Sequence, residues 1–217
     1  MKQQCQLMIE SSASVAPGAS FDRSTWSRML DALSYFLIRR RILLSAMLFA
    51  ILAVANIYLG VKPHDPFDIH DPLSVTGVAL VVVGVALRSW AVGILKKDAE
   101  LTTRGPYRLI RNPLYVGSFL MMFGFCALVG NPINLLIVIP MVVIYSVKVR
   151  QEERLLASLF GADWVEYERT TPRFVPRPAL VDLSSDWRLA QWLHAREFQA
   201  VGASLLAVIA IAFWHAT

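Results

Sequence analysis

Residues 114–147 read LYVGSFLMMFGFCALV-GNP-INLLIVIPMVVIYSV, without one charged side chain. A membrane-spanning helix needs about 20 mostly apolar residues, and each half of this run is slightly short of that. Gly130-Asn131-Pro132 is a turn signal, so Leu114–Val129 and Ile133–Val147 read as an antiparallel helical hairpin. Each half would borrow polar flanking residues to cross. Working outward, Ile42–Gly60 is free of charge, Leu73–Leu95 is interrupted only by Arg88, and Phe198–Trp214 is apolar to the C-terminal side. The expectation is an all-α polytopic membrane bundle of about five transmembrane helices with a cytoplasmic pocket. Composition agrees: 56% of residues are hydrophobic and 17% charged, and the mean hydropathy is +0.51. Soluble chains carry roughly 45–50% apolar and ~25% charged residues. The same figures exclude a disordered or collagenous chain. Two cysteines, Cys5 and the intramembrane Cys126, predict no disulfide framework.

The net charge of +5 does not require a nucleic-acid partner, which would need a soluble basic face. Its distribution is the informative part. Residues 1–41 hold six Lys/Arg, 96–113 hold five and 148–197 hold eight, whereas Lys62 stands alone opposite them and Arg88 lies within a span. The positive-inside rule then predicts a cytoplasmic N-terminus and an external His215-Ala216-Thr217. Residues 1–30 lack the apolar core of a secretory signal. The expected organisation is a cytoplasmic tail and amphipathic helix over 1–40, a membrane core over 41–178, and an amphipathic segment with the last span over 179–217. A bacterial inner membrane is the expected location.

Two basic-side stretches are richer than loops need to be. The first is Leu101-Thr-Thr-Arg-Gly-Pro-Tyr-Arg-Leu-Ile-Arg-Asn-Pro-Leu-Tyr-Val-Gly117. Here Asn112-Pro113 reads as a helix N-cap followed by Pro at the first helical position. Such a start offers backbone N–H groups and a positive dipole end to an anionic group. Gly117 allows another backbone or a ligand to approach closely. The second stretch is Lys148-Val-Arg-Gln-Glu-Glu-Arg-Leu-Leu-Ala-Ser-Leu-Phe-Gly161, which carries the hairpin's second helix out of the membrane. Glu152 and Glu153 lie about 100° apart on it and face different partners. Leu155, Leu156, Leu159 and Phe160 form an apolar stripe, Gly161 is a helix stop, and a short helix from Ala162 to Arg169 follows.

Each residue also has a plain structural reading. Arg104 and Arg111 would serve as topology anchors. Glu152 and Glu153 would pair along the helix with Lys148, Arg150 or Arg154, and Tyr107 and Tyr115 would be interfacial rings. The repeated tripeptides His64-Asp65-Pro66 and His70-Asp71-Pro72 could bind a metal, but a polar turn is the better reading. Arg88 within a span flags function, with snorkelling or pairing to a carboxylate or substrate as the options.

Taken together, the order is specific. Leu101, Gly105-Pro106-Tyr107, Arg111-Asn112-Pro113-Leu114-Tyr115 and Gly117 are followed by Glu152-Glu153, Leu156, Phe160-Gly161, Tyr167 and Pro176. This resembles the isoprenylcysteine carboxyl methyltransferase family and its bacterial relatives, which include phospholipid methyltransferases, over roughly residues 75–178. The family usually has Arg-His-Pro where this chain has Arg111-Asn112-Pro113. The resemblance implies S-adenosyl-L-methionine as cofactor, held on the cytoplasmic side. Its contacts would be Ala99, Glu100, Leu101, Thr102, Tyr107, Asn112, Pro113, Leu114, Tyr115, Glu152 and Glu153. It also implies a basic group facing a substrate carboxylate, here Lys148 with Arg150 and Arg111. An amine substrate, as in phospholipid N-methylation, would use Glu153 instead. The implied partners are membrane lipid and a lipophilic or lipid-modified substrate, with neither nucleic acid nor metal. Methyl transfer from a sulfonium needs alignment and desolvation more than acid–base help. Two other classes stay open: a sterol-reductase-like NADPH enzyme, whose similar segment carries an acid where Ser118 stands, and a non-catalytic membrane protein.

Overall fold

The structure is a computed structural model that describes residues 50–95, 100–176 and 186–217. The N-terminal tail, and the expected span Ile42–Gly60 up to residue 49, lie outside the described residues, as do residues 96–99, Ala99 among them, and 177–185. Residues 50–58 are helical. The elements that follow are α1 (Pro72–Ile94), α2 (Pro106–Leu109), α3 (Pro113–Val129), a 3-10 turn (Pro132–Asn134), α4 (Leu135–Thr170), α5 (Leu189–His194) and α6 (Glu197–Ala216). The fold is all-α, as the apolar runs predict. Among the described residues, α1, α6 and the stretch Pro132–Thr170 are long and apolar enough to cross a membrane, and Pro113–Val129 is a shorter apolar helix.

Local chemistry sets these bounds. The Asp71 carboxylate accepts from the Leu73 N–H at 3.0 Å and so caps α1, with Pro72 at the first helical position. Gly130, at φ +72°, ends α3 in the left-handed conformation. Asn131 then accepts from the Ile133 N–H at 3.0 Å and starts the 3-10 turn, so the predicted Gly-Asn-Pro reversal is built as expected. Gly161 breaks α4 at φ 51°, ψ −118°, and the helix resumes to Thr170.

The closest helix contact is between α1 and α3. A methyl group on Gly84 would fall 2.6 Å from the Gly117 carbonyl oxygen, and one on Gly117 would fall 2.6 Å from that of Gly84. One turn pair further along, a methyl on Gly124 would fall 2.7 Å from the Gly77 carbonyl oxygen. Lipid is as apolar as leucine, so burial adds little to such contacts; close backbone approach through small residues supplies the dispersion energy instead. The hairpin helices α3 and α4 meet through rings, with Tyr115 and Phe119 at 5.9 and 6.1 Å from Tyr145. Leu136, Ile139, Val143 and Val147 of α4 stay exposed and suit lipid.

The segment before α6 docks on the end of α1 and satisfies its last carbonyls. Trp187 Nε1 donates to Ser89 O at 3.0 Å, the Arg188 N–H to Gly93 O at 2.9 Å and Gln191 Nε2 to Leu95 O at 2.8 Å. Gly93 leaves the space the Trp187 ring fills. At the other end of α1, His64 pairs with Asp71 through Nδ1, while its N–H donates to Leu128 O at 2.8 Å. Asp65 and Asp68 accept from the N–H groups of Phe67 and His70, so the repeated tripeptides build turns and a cap.

Candidate active site

The site lies at the end of the bundle where α2, the start of α3 and the second half of α4 meet. Gly105 turns the chain at φ 54°, ψ −131°, a region that only glycine occupies easily, and Pro106 starts α2. Tyr107 then packs against Ala91 and Ile94 of α1. The Tyr107 carbonyl accepts from the Tyr167 hydroxyl at 2.6 Å, which ties α2 to the end of α4.

A buried ionic frame holds the turn between α2 and α3. Glu153 is 6% exposed. It accepts from Arg173 Nε at 2.9 Å and Nη2 at 2.6 Å, and from Asn112 Nδ2 at 3.0 Å. Hydrogen bonding to Glu153 raises the Arg173 guanidinium above its usual range. Arg111 lies 3.7 Å from the same carboxylate, pairs with Glu168 and sits 5.7 Å over the Trp164 ring. Its N–H donates to Pro172 O at 2.9 Å. Glu153 and Arg111 are the buried members of this frame, while Arg173 and Glu168 reach it from the surface and offset their charges.

Asn112 does occupy the N-cap position of α3, but its side chain makes no cap hydrogen bond. It reaches across to Glu153 instead. The N–H groups of Tyr115 and Val116 both turn back to the Asn112 carbonyl at 3.1 Å. Donors that the sequence offered to an anion are therefore spent within the helix start.

Glu152 faces elsewhere, as the 100° spacing predicts. Its carboxylate is 3.6 Å from Lys148 Nζ and its side chain is 40% exposed. The Tyr107 hydroxyl is buried without a hydrogen-bond partner. Burial, then the neighbouring Tyr167 and Glu152, push its pKa well above the usual phenol range, while Arg88 acts in the other direction. Arg150 is exposed.

Beyond Ile94 lies a cavity of about 630 Å³, lined by Glu100, Leu101, Thr102, Thr103 and Arg104 on one side and Phe160, Asp163, Glu166 and Asp186 on the other. Its size falls in the small-molecule range of roughly 300–1,000 Å³. Four carboxylates face one guanidinium there, although Arg169 engages Glu166 at 2.7 Å and Arg104 lies 3.6 Å from Asp186. The hydrogen bond from Arg169 holds the Glu166 carboxyl below its usual range.

In the last two turns of α1, Arg88 is held at both ends of its guanidinium. Nε and Nη2 donate to the two Glu197 oxygens at 2.8 and 3.0 Å, and Nη1 donates to Ser118 Oγ at 2.6 Å. Sequence reading assigned roles to neither Glu197 nor Arg173. The signal for Glu197 was available, since a cation within a span requires a counter-charge at its own depth. Arg173 had no such signal, because its contact with Glu153 depends on the turn at Gly161.

Residues 72–163 match the phospholipid methyltransferase family. Over that stretch the chain resembles that family. The chain is 35% identical over 130 residues to the cobalt-zinc-cadmium resistance protein CzcN of Cupriavidus metallidurans, covering 58% of this chain and 56% of that one. It is 29% identical over 170 residues to the nickel-cobalt-cadmium resistance protein NccN of Alcaligenes xylosoxydans xylosoxydans, covering 77% of each. It is also 31% identical over 99 residues to the protein-S-isoprenylcysteine O-methyltransferase of Schizosaccharomyces pombe, covering 45% of this chain and 42% of the relative. The chain thus spans about half the length of the first and less than half of the third. No solved structure matches it. These relatives and the apolar helices support an integral membrane protein that is similar, over part of its length, to membrane methyltransferases.

Proposed function

We propose that this protein is an S-adenosyl-L-methionine-dependent methyltransferase that esterifies the carboxylate of a lipid-tailed acid of the isoprenylcysteine type. The observation that carries the reading is the carboxylate-rich cavity beyond Ile94, placed where the membrane helices give way to the basic segments. The cofactor is a net cation at neutral pH, with a sulfonium and an ammonium against one carboxylate. An excess of carboxylates suits it. Glu100, Leu101 and Thr102 line that cavity, in keeping with the contacts the resemblance implies. Phe160 offers a ring to the cation or the adenine, and Arg104 is the cation available to the cofactor carboxylate. When bound, the sulfonium supplies the methyl group. The chain's own part is to orient the two reactants and exclude water between them.

The same cavity argues against the sterol-reductase-like alternative, because a dinucleotide brings phosphates to a wall of carboxylates. Amine methylation through Glu153 is disfavoured as well, since Arg173, Asn112 and Arg111 already engage that carboxylate. The half-buried rings of Tyr115, Phe119, Tyr145 and Phe174 form an apolar track for a hydrocarbon tail between α3 and α4. In this reading the Arg111 end of the bundle is cytoplasmic and Asp71 lies outside, as the loop charges require.

The test is calorimetry of S-adenosylhomocysteine and of NADPH on the detergent-purified protein, followed by methyl transfer from labelled cofactor into prenylcysteine acids and a total lipid extract. Saturable binding of the first ligand and label in the prenylcysteine esters is the expected outcome. Binding of NADPH alone would overturn the reading, and label only in phosphatidylethanolamine products would replace the acid by an amine.

A further inference from the structure

Of the three cations that the sequence offers to an acidic substrate, the structure engages two with carboxylates and leaves the third exposed. Arg111 sits in the frame around Glu153, Lys148 pairs along its helix with Glu152, and Arg150 is exposed. Arg88 differs from them in being built into place at membrane depth. Gly117 makes room for its stem, since a methyl group there would fall 2.7 Å from Arg88 Cγ. The Glu197 carboxylate, itself 5% exposed, grips one edge of the guanidinium through Nε and Nη2. Ser118 takes one N–H of Nη1 and passes its own proton to Leu114 O at 2.9 Å, so this hydroxyl is oriented from both sides.

A guanidinium has five N–H donors. Glu197 and Ser118 account for three of them, which leaves one on each Nη for a further acceptor. Two parallel N–H groups at the spacing of a carboxylate are the usual form of acid recognition by arginine. The Arg88 side chain keeps 23% of its surface open.

Resting on the acid-methylating reading above, we propose that Arg88 is the group that binds the carboxylate of the lipid-tailed substrate inside the membrane, with Glu197 and Ser118 as positioning residues. Lysine cannot reproduce this arrangement, because a single ammonium cannot hold Glu197 and a second carboxylate in parallel forks.

The experiment measures binding as well as turnover on the full-length protein in detergent. Tryptophan quenching is titrated with S-farnesylcysteine and with its methyl ester, for wild type, Arg88→Lys and the paired replacement Arg88→Met with Glu197→Leu. The paired replacement removes both charges and keeps α6 docked by apolar contact. Thermal unfolding and S-adenosylhomocysteine calorimetry on the same samples confirm the fold and the cofactor site. Wild type is expected to prefer the acid over the ester by about tenfold or more, as a bidentate charged pair would give. Both variants should lose that preference, raise KM for the acid and leave S-adenosylhomocysteine binding within twofold. Undiminished preference for the acid in either folded variant overturns the assignment, even if the wild type transfers methyl groups. If the wild type binds the acid through Arg88 but transfers no methyl group to any substrate, the assignment stands and the methyltransferase reading falls.

Discussion

The two ends of the α1–α3 pair solve the same problem with different chemistry. At the Asp71 end, the polar groups are short, and most are uncharged. Asp71 caps α1, His64 bonds to Asp71 and to Leu128 O, and Asn56 bonds to both Asn131 and Asn134. At the Arg111 end the groups are long and charged. Arg111 meets Glu168, Glu153 meets Arg173, and Arg88 meets Glu197 across 109 positions of sequence. Among the described residues, the buried side-chain atoms without partners, Tyr107 Oη, Arg111 Nε and Trp192 Nε1, all lie on the Arg111 side. Closing a helix end requires only caps. The surplus of buried charge and orphan donors at one end is what a ligand site would need.

The contrast is broken most severely by removing the centre of the ionic frame. Glu153→Ala leaves Arg173 and Arg111 without their shared carboxylate, which should cost about 3–5 kcal/mol. Thermal unfolding in detergent should show this as a large fall in Tm, with Glu153→Gln intermediate because it keeps the bond from Asn112. A loss below about 1 kcal/mol would mean that the frame is solvated and carries little of the fold.

The next effect concerns the contact that both ends share. Gly84→Ala places a methyl group against the Gly117 carbonyl and should cost about 1–3 kcal/mol through overpacking. Gly202→Ala on α6 meets nothing within 4 Å, and should instead stabilise by up to about 1 kcal/mol through helix propensity. Equal effects at the two sites would remove the case for a close α1–α3 contact. A smaller change is expected for Tyr167→Phe. It deletes the 2.6 Å bond to the Tyr107 carbonyl at a net cost of about 1 kcal/mol. It should also weaken S-adenosylhomocysteine binding if α2 borders the cofactor site, a readout that loss of a remote bond would not move.

How much of this was legible beforehand follows from the range of the interactions. The bounds of α1, α3 and α6, the reversal at Gly130 and the break at Gly161 are set by residues within a turn of where they act, and the sequence shows them directly. The opposed faces of Glu152 and Glu153 follow from helix geometry alone. What Glu153 touches was not legible, because Arg173 reaches it only after α4 bends at Gly161. Asn112 was read as a side-chain cap on local grounds, and a distant buried carboxylate won that amide. Glu197 was overlooked because it sits at a span's edge, where an acidic first turn looks ordinary.

The smallest expected effect belongs to the quieter end, and its sign follows from Asp71. Burial tends to raise this carboxyl, but hydrogen bonds from the Leu73 N–H, Ser74 and His64 outweigh it and lower its pKa below the ordinary aspartate range. The folded state therefore binds that proton less readily than the unfolded state. The contribution is complete above the unfolded pKa of about 4 and is lost as pH falls through the lower folded value. Between neutral pH and about 5, Asp71 should add no slope to Tm, and wild type should then lose stability on further acidification. Asp71→Asn keeps an acceptor for the Leu73 N–H but cannot titrate, so its Tm should start lower and the difference from wild type should shrink as the pH falls. The Arg88-dependent preference for an acid ligand at the other end should be the same in Asp71→Asn as in wild type at neutral pH. A change there would mean that the two ends are coupled through α1 and that the division of labour between them is not real.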